Sequence, residues 1–265
     1  MSESNKRNFI VHGSILAIAG ILVRIIGMLY RIPVVNIIGS EGNGIYGAAF
    51  NIYNIMLVLS SYGLPMAVSK LVSARFTKKR YKSAAKVLRC SLMVAVCTGG
   101  IAALLVFFGA AFIENVIYGG GLPGLAVPLR ILAPTIFLVA ILGVIRGFFQ
   151  GQSTMIPTAV SQILEQIVNA IVSIAAGYGM MKAFASSPDV AAYGAAGSTL
   201  GTAMGALTAV LFMGFLYAVY TPTFNRLKRK DRHTENQSTG QICKIIIYTM
   251  IPIILGQTFY QISAL

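Results

Sequence analysis

Two arginines lie inside the first long apolar stretch of this 265-residue chain. Arg24 and Arg31 are seven residues apart, a spacing that puts both side chains on one face of an α-helix. An apolar helix of about 20 residues crosses a bilayer core, and an arginine at its centre costs about 2.5 to 3.5 kcal/mol on insertion scales. Such a side chain needs a partner, a water-filled cavity or an anionic ligand. The pair is therefore the first candidate for a functional site.

The other residues on this face are small. Along with the arginines, the helical spacing includes Gly13, Ala17, Gly20 and Gly27. Small residues either let another helix approach closely or leave open volume. The face is thus a packing seam whose arginines extend to the membrane interface, or else the wall of a polar cavity. Arg24 lies farther from the interface and favours the cavity, whereas Arg31, near the predicted outer surface, is compatible with either interpretation.

A second polar face runs along the stretch 157–182. Glu165 lies about 12 Å beyond Pro157 in a helix, where an isolated ionised carboxylate is unstable, so it must be paired, hydrated or protonated. Arg146, near the inner end of the preceding apolar stretch, is the predicted partner. The pair either locks two helices together or takes part in ligand binding or proton coupling. The same face carries Thr158, Gln162, Asn169 and Ser173, and a cavity beside it is predicted to include Asn51 and Asn54.

The composition indicates a polytopic helical membrane protein. Hydrophobic residues make up 56% of the chain and charged residues only 11%, whereas about a quarter of the residues in a soluble domain are charged. We therefore expect an all-α membrane bundle. Seven apolar segments are each long enough to span a bilayer: 9–37, 45–72, 84–112, 125–149, 157–182, 194–220 and 243–265.

The net charge of +14 follows a positive-inside pattern. Basic residues gather before the first segment, between the second and third, and between the sixth and seventh, while the intervening loops carry few charges. This predicts a cytoplasmic amino terminus and argues against nucleic-acid binding. The sequence has no recognisable phosphate-binding loop, catalytic triad or metal-ligand cluster. We therefore predict a transporter rather than an enzyme, with no cofactor and no metal.

Three stretches of the sequence resemble the stage V sporulation protein B group. They are Val23–Pro33, with both arginines, Gly63–Lys70, and the block from Arg146 to Gln166 that includes the predicted ion pair. This group belongs to the polysaccharide-transporter branch of the superfamily that also contains multidrug and toxin extruders and lipid II flippases. The resemblance spans essentially the whole chain and implies a location in the bacterial plasma membrane.

The resemblance implies a transporter of two six-helix lobes around a central cavity. On this reading residues 1–220 form one lobe, 221–242 a basic cytoplasmic loop, and 243–265 the first helix of a second lobe. Because the chain stops at Leu265 without a polar tail, we expect it to be an amino-terminal fragment. The tight glycine spacing at 197, 201 and 205 predicts close helix packing within the lobe.

The resemblance also implies a substrate. Relatives are implicated in moving undecaprenyl-diphosphate-linked saccharides across the membrane, and Arg24 and Arg31 match two cavity arginines thought to engage the diphosphate. The sequence departs from the family pattern at two places. The stretch Ile45–Ser69 contains no charge, although the lipid II flippases have a cavity arginine on this helix, and Asn169 stands where an arginine is expected. The implied partners are the lipid-linked saccharide, membrane lipids and a coupling ion, Na⁺ or H⁺.

Two other functions fit parts of the sequence. An extruder of amphipathic cations would depend on Glu165 more than on Arg24, and a net-positive cavity argues against it. A membrane scaffold for cell-wall or sporulation enzymes would use the basic loops as docking sites. Replacement of the two arginines distinguishes a flippase from both alternatives.

Overall fold

The chain folds as a bundle of long helices. The computed structural model describes residues 3–233 and 237–263, with side chains for 13–233 and 237–259, and these residues contain no strand. The helices are α1 (Glu3–Ser60), α2 (Gly63–Thr77), α3 (Tyr81–Phe112), α4 (Ala126–Gly151), α5 (Ile156–Ala183), α6 (Val190–Lys230) and α7 (Thr239–Ser263), with a π-helical turn at Ile113–Ile117 after α3. The predicted all-α membrane bundle is confirmed.

Six helical stretches of the described chain are long and apolar enough to cross a membrane. The first, Gly13–Thr77, has 65 residues and contains most of the predicted segment 9–37 and all of the predicted segment 45–72. It bends at Gly39, whose φ of 71° is favourable only for glycine. The second predicted segment, 45–72, is not one continuous helix, because α1 ends at Ser60 and α2 begins at Gly63.

The predicted loop 221–242 is largely helical, which corrects the sequence interpretation. Helix α6 continues to Lys230 and α7 already begins at Thr239. The loop was inferred from its charges, but lysine and arginine are good helix formers and are stabilised near a helix carboxyl terminus by the backbone dipole. The division into a lobe, a loop and the first helix of a second lobe stays a prediction.

The buried apolar residues form two clusters at different depths. One joins the bend of α1 to the amino-terminal parts of α4 and α6, and we call this the outer end. The other joins α2 to α7 and to the opposite ends of α3, α4 and α6, and we call this the inner end. Aromatic contacts of Phe76 with Phe148 and Phe224 tie the inner ends of α2, α4 and α6 together. The inner end is the one predicted to be cytoplasmic.

Helices α5 and α6 approach each other closely through the predicted glycine ladder. A Cβ built on Gly201 would lie 2.5 Å from the Asn169 carbonyl oxygen, and one on Gly205 would lie 2.5 Å from the Glu165 carbonyl oxygen. Both distances are too short for a carbon next to a carbonyl. The two glycines therefore fix how near α6 lies to the polar face of α5.

We expect the substitution Gly201→Ala to destabilise the bundle by about 1–3 kcal/mol, because the added methyl group forces two packed helices apart. Gly214→Ala is the matched control on the same helix, since a Cβ there would meet nothing within 4 Å. The measurement is the midpoint of thermal unfolding in detergent micelles. Equal midpoints for the two variants would contradict this account of the α5–α6 contact.

A buried carboxylate ties α6 to α3 at the inner end. Asp231 lies just after α6, its side chain is 1% exposed, and its Oδ2 accepts a hydrogen bond from the backbone N–H of Lys82 at 2.8 Å. Its Oδ1 accepts another from the backbone N–H of His233 at 3.0 Å. Burial acts to raise the pKa of Asp231, but these hydrogen bonds and the His233 ring hold it below its ordinary value. Asp231 thus serves as a remote cap for the first turn of α3.

We expect Asp231→Ala to cost about 1 kcal/mol of stability, as the loss of a helix cap usually does. A carboxylate whose pKa is lowered by folding stabilises the protein above the unfolded pKa, and this contribution disappears as the pH falls through the folded pKa. The difference in unfolding midpoint between the native protein and the variant should therefore persist near neutral pH and shrink below about pH 4. A difference that is independent of pH across that range would contradict the assignment.

Candidate functional site

Arg24 and Arg31 both lie on an exposed face of α1. Neither guanidinium group makes a hydrogen bond or an ion pair with any residue that the structure describes. The helix holds the two side chains on one face, because seven residues correspond to about two turns and about 10 Å along the axis. The two charges thus form a cationic stripe on the surface, and no residue in the described part of the chain neutralises it.

The depth of the stripe follows from the register between α1 and α5. The Tyr30 hydroxyl accepts a hydrogen bond from Asn169 Nδ2 at 3.4 Å, and a Cβ on Gly27 would lie 3.2 Å from Gln166 Nε2. Both pairs are 139 positions apart, so the two helices run parallel here. In this register Arg31 is level with the middle of α5, a helix of 28 residues and about 42 Å. Arg24 is about 10 Å closer to the inner end.

In this register the bundle extends beyond Arg31 toward the outer end, and the placement of Arg31 near the outer membrane surface stays a prediction. The residues that follow it, Val34 and Ile38, are both 2% exposed within the outer core cluster, so the bundle continues well beyond Arg31. Relative to the helices, both arginines lie between the inner end and the middle of α5 rather than at its outer end.

The structure brings Arg146 and Glu165 together. The guanidinium Nη2 of Arg146 donates a hydrogen bond to Glu165 Oε2 at 2.7 Å, and the Nε of Arg146 donates one to the Ser161 hydroxyl at 2.9 Å. The side chains of Arg146 and Glu165 are 14% and 27% exposed. Helix α4 supplies the arginine and α5 supplies both partners, so the carboxylate has a fixed counter-charge.

Most of the remaining polar face of α5 is occupied by contacts inside the bundle. Asn169 is 8% exposed, and its Oδ1 accepts hydrogen bonds from Ser173 at 2.9 Å and Thr202 at 3.4 Å. Thr158 is fully buried and accepts a bond from Gln150 at 3.5 Å. Gln162 is half-buried and has no hydrogen-bond partner among the described residues. The face links α1, α5 and α6, and only part of it is available to a ligand.

The other predicted cavity residues are less clearly placed. Asn51 is exposed and Asn54 is half-buried, and neither makes a hydrogen bond to the described residues. Tyr53, which the sequence interpretation grouped with these two asparagines, is buried close to Glu165. The interpretation missed Tyr30, which bonds to Asn169. Its signal was available, because a tyrosine carries a polar hydroxyl on an apolar ring and Tyr30 lies one helical turn beyond Gly27.

The arrangement is suited to an anion rather than a cation. Glu165, the carboxylate that the structure places beside this face, is already paired with Arg146, whereas Arg24 and Arg31 are not neutralised by any described residue. Arginine presents a planar fork of donors that matches phosphate oxygens, and its contacts strengthen as water is excluded. Two arginines whose positions differ by about 10 Å along the helix axis could together engage a large anionic headgroup.

Comparison with known proteins finds related sequences over nearly the whole chain. A family model described as polysaccharide biosynthesis protein matches residues 10–261. The chain is 34% identical over 176 residues to the lipid II flippase MurJ of Bacillus subtilis, and the aligned region covers 64% of this chain and 32% of the relative. It is 30% identical over 210 residues to stage V sporulation protein B of the same organism, and that alignment covers 78% of this chain and 39% of the relative.

Solved structures share the fold. A MATE transporter in its straight conformation superimposes with a TM-score of 0.77 at 17% identity, covering 98% of this chain and 54% of the transporter. The MATE-like bundle predicted from the sequence is thereby confirmed. The chain spans about half the length of this structure and less than half the length of the two curated relatives.

Proposed function

Because this chain belongs to the polysaccharide biosynthesis protein family, we propose that it forms one lobe of a flippase for an undecaprenyl-diphosphate-linked saccharide. The substrate class includes lipid II and related precursors of the cell wall, the spore cortex or surface polysaccharide. A curated relative named as a lipid II flippase supports this class. The protein acts as a carrier that moves the headgroup across the bacterial plasma membrane without changing it covalently.

The cationic stripe of Arg24 and Arg31 carries the proposal. A diphosphate esterified to both a lipid and a saccharide carries two negative charges, and moving them into a hydrocarbon core is costly unless counter-charges accompany them. The two guanidinium groups supply that charge at mid-depth, on a face that the described part of this lobe leaves open. A second lobe facing the stripe would enclose the headgroup between them, and rocking of one lobe against the other would expose it alternately to each side.

The ion pair distinguishes this proposal from a cation extruder. An extruder of cations needs a carboxylate that is free to exchange its partner for the substrate. Glu165 is held by Arg146 at 2.7 Å, and Arg146 is also bonded to Ser161. In the flippase the pair holds α4 and α5 in register, and outward movement of the headgroup is coupled to the membrane potential or to Na⁺ or H⁺.

The test is a translocation assay in cells of the source organism. The locus is deleted, then restored in single copy, and the exposure of lipid-linked saccharide on the outer leaflet is measured with an added modifying enzyme. In parallel, efflux of a cationic dye is measured in the same strains. We expect restoration to increase headgroup exposure without changing dye efflux. Dye efflux alone would indicate an extruder, and a change in neither would favour a scaffold.

A further inference from the structure

A basic double cavity lies at the inner end of the bundle, away from the cationic stripe. One cavity of about 430 Å³ is lined by residues of α3, α6 and α7. A second, of about 580 Å³, adjoins it and shares Lys82 and Lys228 with it. Together their charged lining residues are Lys82, Lys86, Arg89, Lys228 and Arg229. These residues have no part in the proposed translocation site.

The cations of this double cavity are not neutralised by the described residues. Lys86 contacts the carbonyl oxygen of Gln237, and the Lys228 ammonium lies 5.2 Å from the centre of the Phe224 ring. Both partners are uncharged. The buried carboxylate nearby, Asp231, is directed at the backbone N–H groups of Lys82 and His233 rather than at any lysine ammonium. Counted over the described residues, the cavity therefore keeps an excess of positive charge.

An exposed apolar strip continues from the cations along α3. Lys82, Lys86, Arg89 and Met93 follow at spacings of four, three and four, which place them on one helical face. Met93 lines the first cavity and is 57% exposed. Leu104 lies eleven residues, or about three helical turns, beyond Met93 on the same face, and it is 58% exposed. One surface thus offers cations to a headgroup and an apolar strip to an acyl chain.

We propose that this double cavity binds an anionic phospholipid, with its phosphodiester headgroup on the five cations and an acyl chain along Met93. The phosphodiester oxygens accept the charge-assisted hydrogen bonds that lysine and arginine donate. Asn225 and Thr239, which also line the cavities, offer polar groups to hydroxyls on the headgroup. The site lies at the end of the bundle that the charge pattern assigns to the cytoplasmic leaflet, where anionic lipids attract basic residues.

The experiment measures lipid retention on the purified chain by native mass spectrometry. Dioleoyl phosphatidylglycerol is titrated against dioleoyl phosphatidylcholine, with and without millimolar inorganic phosphate. The triple variant Lys82→Gln, Arg89→Gln, Lys228→Gln should bind phosphatidylglycerol at least about tenfold more weakly. A control variant with the same loss of charge at the same end, Lys78→Gln, Lys79→Gln, Arg226→Gln, should change binding less than about twofold.

Three outcomes would overturn the proposal. If both triple variants lost phosphatidylglycerol binding to the same extent, the attraction would be diffuse and there would be no specific site. If phosphatidylcholine were retained as well as phosphatidylglycerol, the surface would be an apolar groove. If phosphate displaced phosphatidylglycerol, the site would bind a free anion.

Folding of each variant is checked by circular dichroism. If the triple variant does not fold, the single variant Arg89→Gln serves instead, because this exposed side chain has no hydrogen-bond partner among the described residues and should still weaken binding about threefold or more.

Discussion

Replacing both Arg24 and Arg31 with glutamine should reduce translocation of the lipid-linked saccharide by about a hundredfold or more. Each guanidinium that bonds a phosphate contributes about 1.5–3 kcal/mol, and about 1.4 kcal/mol corresponds to a factor of ten. The single variants should each lose a substantial part of the activity. Because Arg31 lies level with the middle of α5, Arg31→Gln should cost at least as much as Arg24→Gln. The readout is outer-leaflet exposure of the saccharide in cells.

The matched control for this prediction is Arg130→Gln. Arg130 is an exposed arginine near the outer end of α4, and it has no ion-pair partner among the described residues. Arg130→Gln removes one positive charge from the bundle, as each substitution in the stripe does, but at a position away from the stripe. Translocation should therefore be nearly unchanged. Protein abundance in the membrane is measured in every strain. Loss of activity with unchanged abundance identifies a defect in transport rather than in insertion.

Breaking the Arg146–Glu165 pair should produce the largest loss of stability. Removing one partner of a buried pair leaves an uncompensated charge and costs about 3–5 kcal/mol. Since the two side chains keep 14% and 27% exposure, we expect about 3 kcal/mol, the low end of that range, for either Arg146→Gln or Glu165→Gln. The double variant should recover most of the loss, because no unpaired charge remains. The measurement is unfolding by SDS titration in mixed micelles.

The same variants separate the two roles left open for Glu165. If the pair only locks α4 to α5, the translocation that remains in Glu165→Gln should keep its native dependence on pH and on Na⁺. A carboxylate that carries the coupling proton would shift the pH dependence when it is replaced by an amide. A double variant as unstable as the singles would instead show that the two charges are not coupled energetically.

Much of the architecture could be predicted from hydropathy and charge. Long apolar segments and alternating basic loops gave an all-α membrane bundle, and the spacing of Gly197, Gly201 and Gly205 indicated the close α5–α6 contact. The helical extension of α6 to Lys230 was missed because the loop was assigned from charge alone. The second seam, where Gly143 and Gly147 of α4 contact Pro65 of α2, follows the same four-residue rule and was overlooked.

The site was less predictable because its geometry depends on register between helices. Periodicity placed Arg24 and Arg31 on one face and Glu165 on another, but it could not set the relative heights of α1 and α5. The contact of Tyr30 with Asn169 sets that height and places Arg31 level with the middle of α5. The nearness of Cys90 to Cys243, and its thiol 3.8 Å from the Thr239 carbonyl, likewise arise from residues about 150 positions apart. No local pattern encodes such contacts.

The most direct measurement of the central claim is binding of a diphosphate-linked lipid to the purified chain. Undecaprenyl diphosphate is titrated onto the native protein, the Arg24→Gln, Arg31→Gln variant and the Arg130→Gln control. Undecaprenol, which has the same chain and no phosphate, is the reference for apolar binding. The account predicts that affinity for the diphosphate falls about a hundredfold in the double variant and stays within about twofold in the control. Equal affinity of the native protein and the double variant for the diphosphate would contradict it.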